Sequence, residues 1–160
     1  MRVNYTGYDV RRGQDSLNAR GNHADILTLS PEGDGDHPFR YGRVIGIFHV
    51  DVFQNTVTVP SMPPTPFSKE VLWVRWFDTD KSYRAGFKHR RLYRIHFVPA
   101  DSPGAFGFLD PDEVIRGCHL IPAFEHGSTK EWMPGHSISR EDDELDDWKY
   151  FYVNMCANLI

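Results

Sequence analysis

Val71 to Pro99 reads VLWVRWFDTDKSYRAGFKHRRLYRIHFVP, the densest apolar stretch of the chain and also its most basic. Val71 to Phe77 and Leu92 to Val98 are rich in β-branched and aromatic residues, the side chains that fit a pleated, half-buried surface. Each run has the length of one strand. Asp78, Asp80, Ser82 and Gly86 between them are turn formers. The stretch predicts a strand, an elaborated connection and a second strand. The remaining chain is expected to complete a sheet around that pair.

Phe39 to Val52 predicts a long strand, with Tyr41, Ile45, Ile47 and His49 on one face and Val44, Phe48 and Val50 on the other. Gly42 and Gly46 inside it predict a bulge or tight bend. Ala24 to Ser30 predicts a first strand, Thr56 to Pro60 a short return and Cys118 to Phe124 a short strand broken by Pro122. Trp148 to Met155 alternates Phe151, Val153 and Met155 against Trp148, Tyr150 and Tyr152, which predicts a last strand. Residues 1–20 are polar and predict an extended arm anchored by Tyr5, Tyr8 and Val10. Residues 61–68, with Pro63, Pro64 and Pro66, predict a loop, as do the acidic and aperiodic residues 125–147. A short helix is expected near 111–116: Asp110 suits the N-cap, Pro111 the first position and Gly117 the stop. The expected architecture is mainly β, a single domain over 1–160. It is a twisted, partly closed small barrel of about six strands.

The 160 residues suffice for one core, and 14% aromatics fill it with few side chains. The formal charge of −4 argues against nucleic-acid binding by the chain as a whole. Its distribution argues otherwise. Lys81, Arg84, Lys88, Arg90, Arg91 and Arg94 fall in a segment without acids, and removing it leaves 12 basic and 22 acidic residues. Six of the seven residues from Glu141 to Asp147 are acidic. This predicts a basic patch set against an acidic loop. Two cysteines, Cys118 and Cys156, make no disulfide framework. No apolar run reaches transmembrane length, and the polar opening from Met1 predicts no signal peptide, so an intracellular place is expected.

Several longer phrases carry a resemblance. They are YDVRRGQDSLN from Tyr8, HADI from His23, YGRVIGIFH from Tyr41, LWVRWF from Leu72, RLYRIHFVP from Arg91, AFGFLDP from Ala105, VIRGCHLIPAF from Val114 and YFYVNM from Tyr150. Together they resemble the C-terminal module of proteins encoded by basidiomycete transposable elements of the Plavaka type, over nearly the whole chain. Tyr41-Gly42-Arg43-Val44 ahead of Trp76-Phe77 is similar in outline to the bromo-adjacent-homology-like (BAH-like) barrels that follow some plant transposases. Relative to the family, the transposase core ahead of Met1 would be missing, and CANLI stands where the family continues. A truncated, domesticated or excised copy is expected. The resemblance implies a fungal, non-catalytic accessory module, nuclear or cytoplasmic, that works beside a transposase.

Three functions follow. The six cations, interleaved with Tyr83, Phe87 and Tyr93, would contact phosphates while rings stack on bases. The bland reading of the same segment is a solvated strand edge, or a partner for the 141–147 acids. Tyr41, Trp76, Tyr83 and Trp132 could instead form an aromatic pocket for a methylated lysine of a chromatin protein, through cation–π attraction; their bland reading is core. A metal-dependent nuclease or hydrolase would use His23, Asp25 and His119, yet no HExxH or CxxC spacing supports it. With binding of nucleic acid or a chromatin protein as the first function and the metal enzyme as the second, a structural module docking on its own transposase is the third. No cofactor motif is present: there is no GxGxxG, P-loop or GxSxG. Cys118 and His119, as strand neighbours, would point to opposite faces, which disfavours a nucleophile–base pair. The expectation is therefore a non-enzymatic module without cofactor, bound to nucleic acid or to a chromatin or transposase protein, and not to a membrane.

Overall fold

Two long strands organise the chain, and both lie where β-branched and aromatic residues concentrate. The computed structural model describes residues 1–6, 12–19, 24–30, 37–53, 66–132 and 146–154. In chain order the strands are β1 (Arg2–Thr6), β2 (Arg12–Ser16), β3 (Asp25–Leu29), β4 (Phe39–Phe53), β5 (Pro66–Thr79), β6 (Arg94–Phe97), β7 (Phe106–Leu109), β8 (Val114–Gly117), β9 (Leu120–Pro122), β10 (Ser128–Thr129), β11 (Asp147–Trp148) and β12 (Phe151–Val153). The principal sheet runs β8-β3-β4-β5-β6-β12-β9, with β7 also paired to β5. The described ladders are antiparallel. The protein is mainly β, a strongly curled half-barrel.

The curl follows from the connectivity. β8 and β9 stand at opposite ends of the strand order, yet only Cys118 and His119 separate them in sequence. Each residue spans at most about 3.6 Å, so the sheet must bend until its two ends nearly meet. Inside the curl lie Leu27, Tyr41, Phe77, Ile95, Phe97, Cys118, Leu120, Phe151 and Val153. The opposite face of the same strands buries Ile26, Val44, Leu72, Val74, Trp76, Leu109 and Val114, covered by Val3 and Leu17. Residues 25–28 are therefore buried on both faces.

β4 carries a bulge. Val44 pairs with Val74 but Gly46 pairs with Trp73, which leaves Ile45 extra. An extra residue reverses the alternation beyond it. Ile47 accordingly packs with Val44 against the outer cluster rather than with Tyr41, contrary to simple alternation. The glycines mark this region, as expected. A Cβ on Gly42 would collide with Val74 Cγ1 and lie 3.0 Å from Trp76, so glycine admits the close packing of the two strands.

Other expectations are corrected. The N-terminal arm is a hairpin, with Arg2 opposite Ser16 and Thr6 opposite Arg12, so residues 25–29 form the third strand and not the first. Met1 is tied to Leu17 by its own amino group, which donates to the Leu17 carbonyl at 3.0 Å. The proline-rich loop ends earlier than predicted: Pro66 to Ser68 belong to β5. The helix near 111–116 shrinks to one 3₁₀ turn, Pro111–Glu113. Asp110 does cap it, accepting from the Asp112 amide at 3.2 Å, but Val114 to Gly117 are drawn into a strand by β3. Part of the 125–147 loop is ordered as the β10–β11 ladder, and the last predicted strand is split at Lys149-Tyr150. Tyr8, Val10, residues 54–65, residues 133–145 and Met155 lie outside the described residues.

Candidate nucleic-acid interface

The basic segment forms a closed excursion between β5 and β6. Its root is a short ladder extension in which the Asp80 amide donates to the Arg94 carbonyl at 2.9 Å. Asp80 then makes an Asx-type turn: its Oδ1 accepts from the Ser82 amide at 2.9 Å and from Ser82 Oγ at 2.6 Å. Further out, Gly86 and Arg91 exchange backbone hydrogen bonds around a 3₁₀ turn, Phe87–His89. Gly86 holds φ 91°, and a Cβ there would lie 2.8 Å from the Tyr93 hydroxyl. Arg90 holds φ 51°, a left-handed conformation that costs an L-residue about 1–2 kcal/mol. Only glycine fits at the first position, and the second persists because the surrounding turn determines it.

Lys81, Arg84, Lys88, Arg90 and Arg91 are exposed on this excursion, together with His89. Among the described residues none of these five cations has an ion-pair partner. Phe87, at the head of the 3₁₀ turn, is 82% exposed.

Arg94 is placed differently. Its guanidinium grips Asp80 Oδ2, with Nε at 2.9 Å and Nη2 at 2.7 Å, and is largely covered. Nη1 lies 2.8 Å from His126 Nε2. A guanidinium only donates, so Nε2 accepts. Tyr83 and Tyr150 stack on the same guanidinium at 4.2 and 4.7 Å. Burial works against the Asp80 charge, but hydrogen bonds from Ser82 and Arg94 hold its carboxyl below the usual carboxylate range. Arg94 thus anchors the root of the excursion, while the other five cations face solvent.

The four aromatics of the expected pocket are dispersed. Tyr41 is buried inside the curl, where its hydroxyl lies 2.7 Å from His37 Nε2. Trp76 is buried on the opposite face of the sheet. Tyr83 packs on Arg94, and Trp132 stacks near His96, ring centroids 5.8 Å apart. The candidate metal residues fare similarly. Asp25 receives both Arg43 Nε at 2.7 Å and Nη2 at 3.1 Å, His119 is exposed, and His23 lies outside the described residues. No group of three metal-ligating side chains occurs among the described residues. Cys118 is buried while His119 is exposed, as their alternation predicted, and burial pushes the Cys118 thiol well above its ordinary pKa.

Two arginines that the sequence reading did not single out lie inside the curl, Arg75 buried and Arg43 largely covered. Arg43 and Arg75 face each other across β4 and β5, so both side chains leave the same face. Arg75 is 1% exposed; its Nη2 donates to the Trp132 carbonyl at 2.7 Å, and the group lies 4.5 Å from the Phe106 ring. Arg43 sits over Phe151, Phe97 and Phe77 at 5.2, 5.3 and 5.7 Å. Burial opposes the Arg43 charge, and Asp25 and Asp147 more than restore it. The sequence signal for Arg75 was a lone arginine within an unbroken run of strand formers; Arg43, beside Gly42 and close to Arg40, carried no such signal.

Of the acidic run, Asp147 is buried and Asp146 lies 3.9 Å from Lys130; residues 141–145 lie outside the described part. Among the described residues no helix is long and apolar enough to cross a membrane. No family model matches the chain, and neither does any curated protein or solved structure.

Proposed function

We propose that this chain is a non-catalytic accessory module of a transposon-derived protein, binding nucleic acid through the 81–91 excursion. The observation that carries the reading is the set of five exposed cations without acidic partners among the described residues, held on a turn closed by backbone hydrogen bonds. Phosphate neutralisation releases condensed counterions, so such a set confers affinity that falls steeply with salt. Asp80 and Arg94 serve the site by fixing its root.

The test is binding of a labelled generic DNA duplex across a salt series. Arg90→Ala with Arg91→Ala should weaken binding and reduce the slope of log K against log salt by about 1.8, or about 0.9 per lost phosphate contact. An unchanged slope would place the binding elsewhere and overturn the assignment.

A second reading has its own support. Beyond the curl, β4 and β5 continue as a two-stranded ribbon with Phe48, Val50 and Phe67 exposed on one face, near Phe108 of β7. An apolar face of this kind suits docking onto a protein, for which the module's own transposase is the candidate. Co-purification with that transposase in the absence of DNA binding would favour this reading over the first.

A further inference from the structure

We propose that the excursion prefers unpaired to paired nucleic acid, with Phe87 as the platform on which a base stacks. The inference rests on the nucleic-acid reading above and specifies its ligand. Three aromatics are interleaved with the cations, and the structure separates them. Tyr83 lies against the Arg94 guanidinium and 6.0 Å from the Tyr152 ring. Tyr93 packs on His37 with ring centroids 3.9 Å apart and beneath Gly86. Phe87 makes no ring contact among the described residues and is the most exposed large apolar side chain there.

A single exposed phenylalanine is ordinary on a protein surface. Its setting is what distinguishes this one. Lys88, Arg90 and Arg91 follow within four residues and Arg84 precedes it, all exposed. Single-strand binders combine these two elements, cations that track the backbone and a ring on which a base stacks. In a duplex the bases are already stacked on one another, so the cations can engage it and the ring cannot. The backbone that carries the ring is closed by hydrogen bonds between Gly86 and Arg91, which lowers the ordering cost of the loop on binding.

The experiment uses the full chain and two labelled probes, a 20-nucleotide oligothymidylate and the same strand annealed to oligodeoxyadenylate, at one fixed salt concentration. The wild-type chain should bind the single strand more tightly. Phe87→Ala should lower single-strand affinity by about 5- to 150-fold, the worth of one stacked base, and leave duplex affinity within about twofold. Phe87→Trp should keep the preference. Arg90→Ala with Arg91→Ala should weaken both probes together. If Phe87→Ala changes neither probe, or both alike, stacking is overturned while the phosphate reading stands. If the wild-type chain binds neither probe, the nucleic-acid reading fails and the stacking proposal fails with it.

Discussion

Inside the curl and on the 81–91 excursion the same kind of side chain does two different things. Arg43 is held bidentate by Asp25 and sits among three phenylalanine rings, and Arg75 is sealed between Phe106, Phe97 and the Trp132 carbonyl. Each is so enclosed that its charge must be answered by neighbouring protein groups. Lys81, Arg84, Lys88, Arg90 and Arg91 are exposed and have no ion-pair partner among the described residues. Taking a cation out of water is costly unless it is paired and hydrogen-bonded, so a buried arginine belongs to the fold. A cation left in water without a partner contributes little to stability and remains available to a ligand. Arg94 combines the two, covered like the first group and next in sequence to the second.

The sharpest way to break this contrast is Arg43→Met. It leaves the Asp25 carboxylate enclosed without its bidentate donor and should cost about 3–5 kcal/mol in chemical denaturation. The paired change Asp25→Asn with Arg43→Met should recover most of that loss. Arg90→Met, by contrast, should leave the unfolding midpoint unchanged. Equal effects at Arg43 and Arg90 would erase the distinction.

A smaller effect is expected at Arg94. Arg94→Ala removes two hydrogen bonds to Asp80 and the contact to His126, and should destabilise the chain by about 2–3 kcal/mol. The salt slope of DNA binding should not fall as it does for the Arg90 and Arg91 changes, because Arg94 is already engaged. A slope that drops by a full phosphate contact would return Arg94 to the binding set.

The smallest effect concerns pH. The Asp80 carboxyl titrates lower in the folded chain than in the unfolded one. Its stabilising contribution is therefore complete above the unfolded value of about 3.9 and is lost as pH falls through the folded value. Asp80→Asn should flatten the acid limb of stability in that window. An acid limb as steep as in the wild-type chain would assign it to other carboxylates.

Much of the sheet was legible because β4, β5, β6 and β12 owe their structure to residues they contain. Phe151 and Val153 are buried while Tyr152 between them is less so, as alternation predicts. Gly42 and Gly46 gave notice of the bulge, although not that it reverses the faces of Ile47 and His49. The β1–β2 hairpin was illegible for a physical reason. RVNYT and RGQDS have no sustained apolar face, and their pairing is specified by the ladder and by anchors such as Val3 and Leu17. β8 was misread because Asp110-Pro111 does begin a helical turn; the strand that follows is imposed by β3, which lies far away in sequence. The candidate interface was legible as a cluster of charge. That five of its cations are exposed while the sixth is covered depends on Asp80 and His126, whose approach to Arg94 is a tertiary fact.

The position of β12 has a consequence for how the chain is made. It is the last of the described strands to be synthesised, yet it lies between β6 and β9 and is the strand to which β9 is paired. Until Phe151 leaves the ribosome, β6 keeps an open edge, and Phe77 and Phe97 lack the ring that closes over them. The β4–β5 hairpin can form while translation continues, since its pairing is local. Closure of the half-barrel therefore waits for β12, and a nascent chain halted before residue 151 would present both an unpaired strand edge and uncovered aromatic rings to other chains.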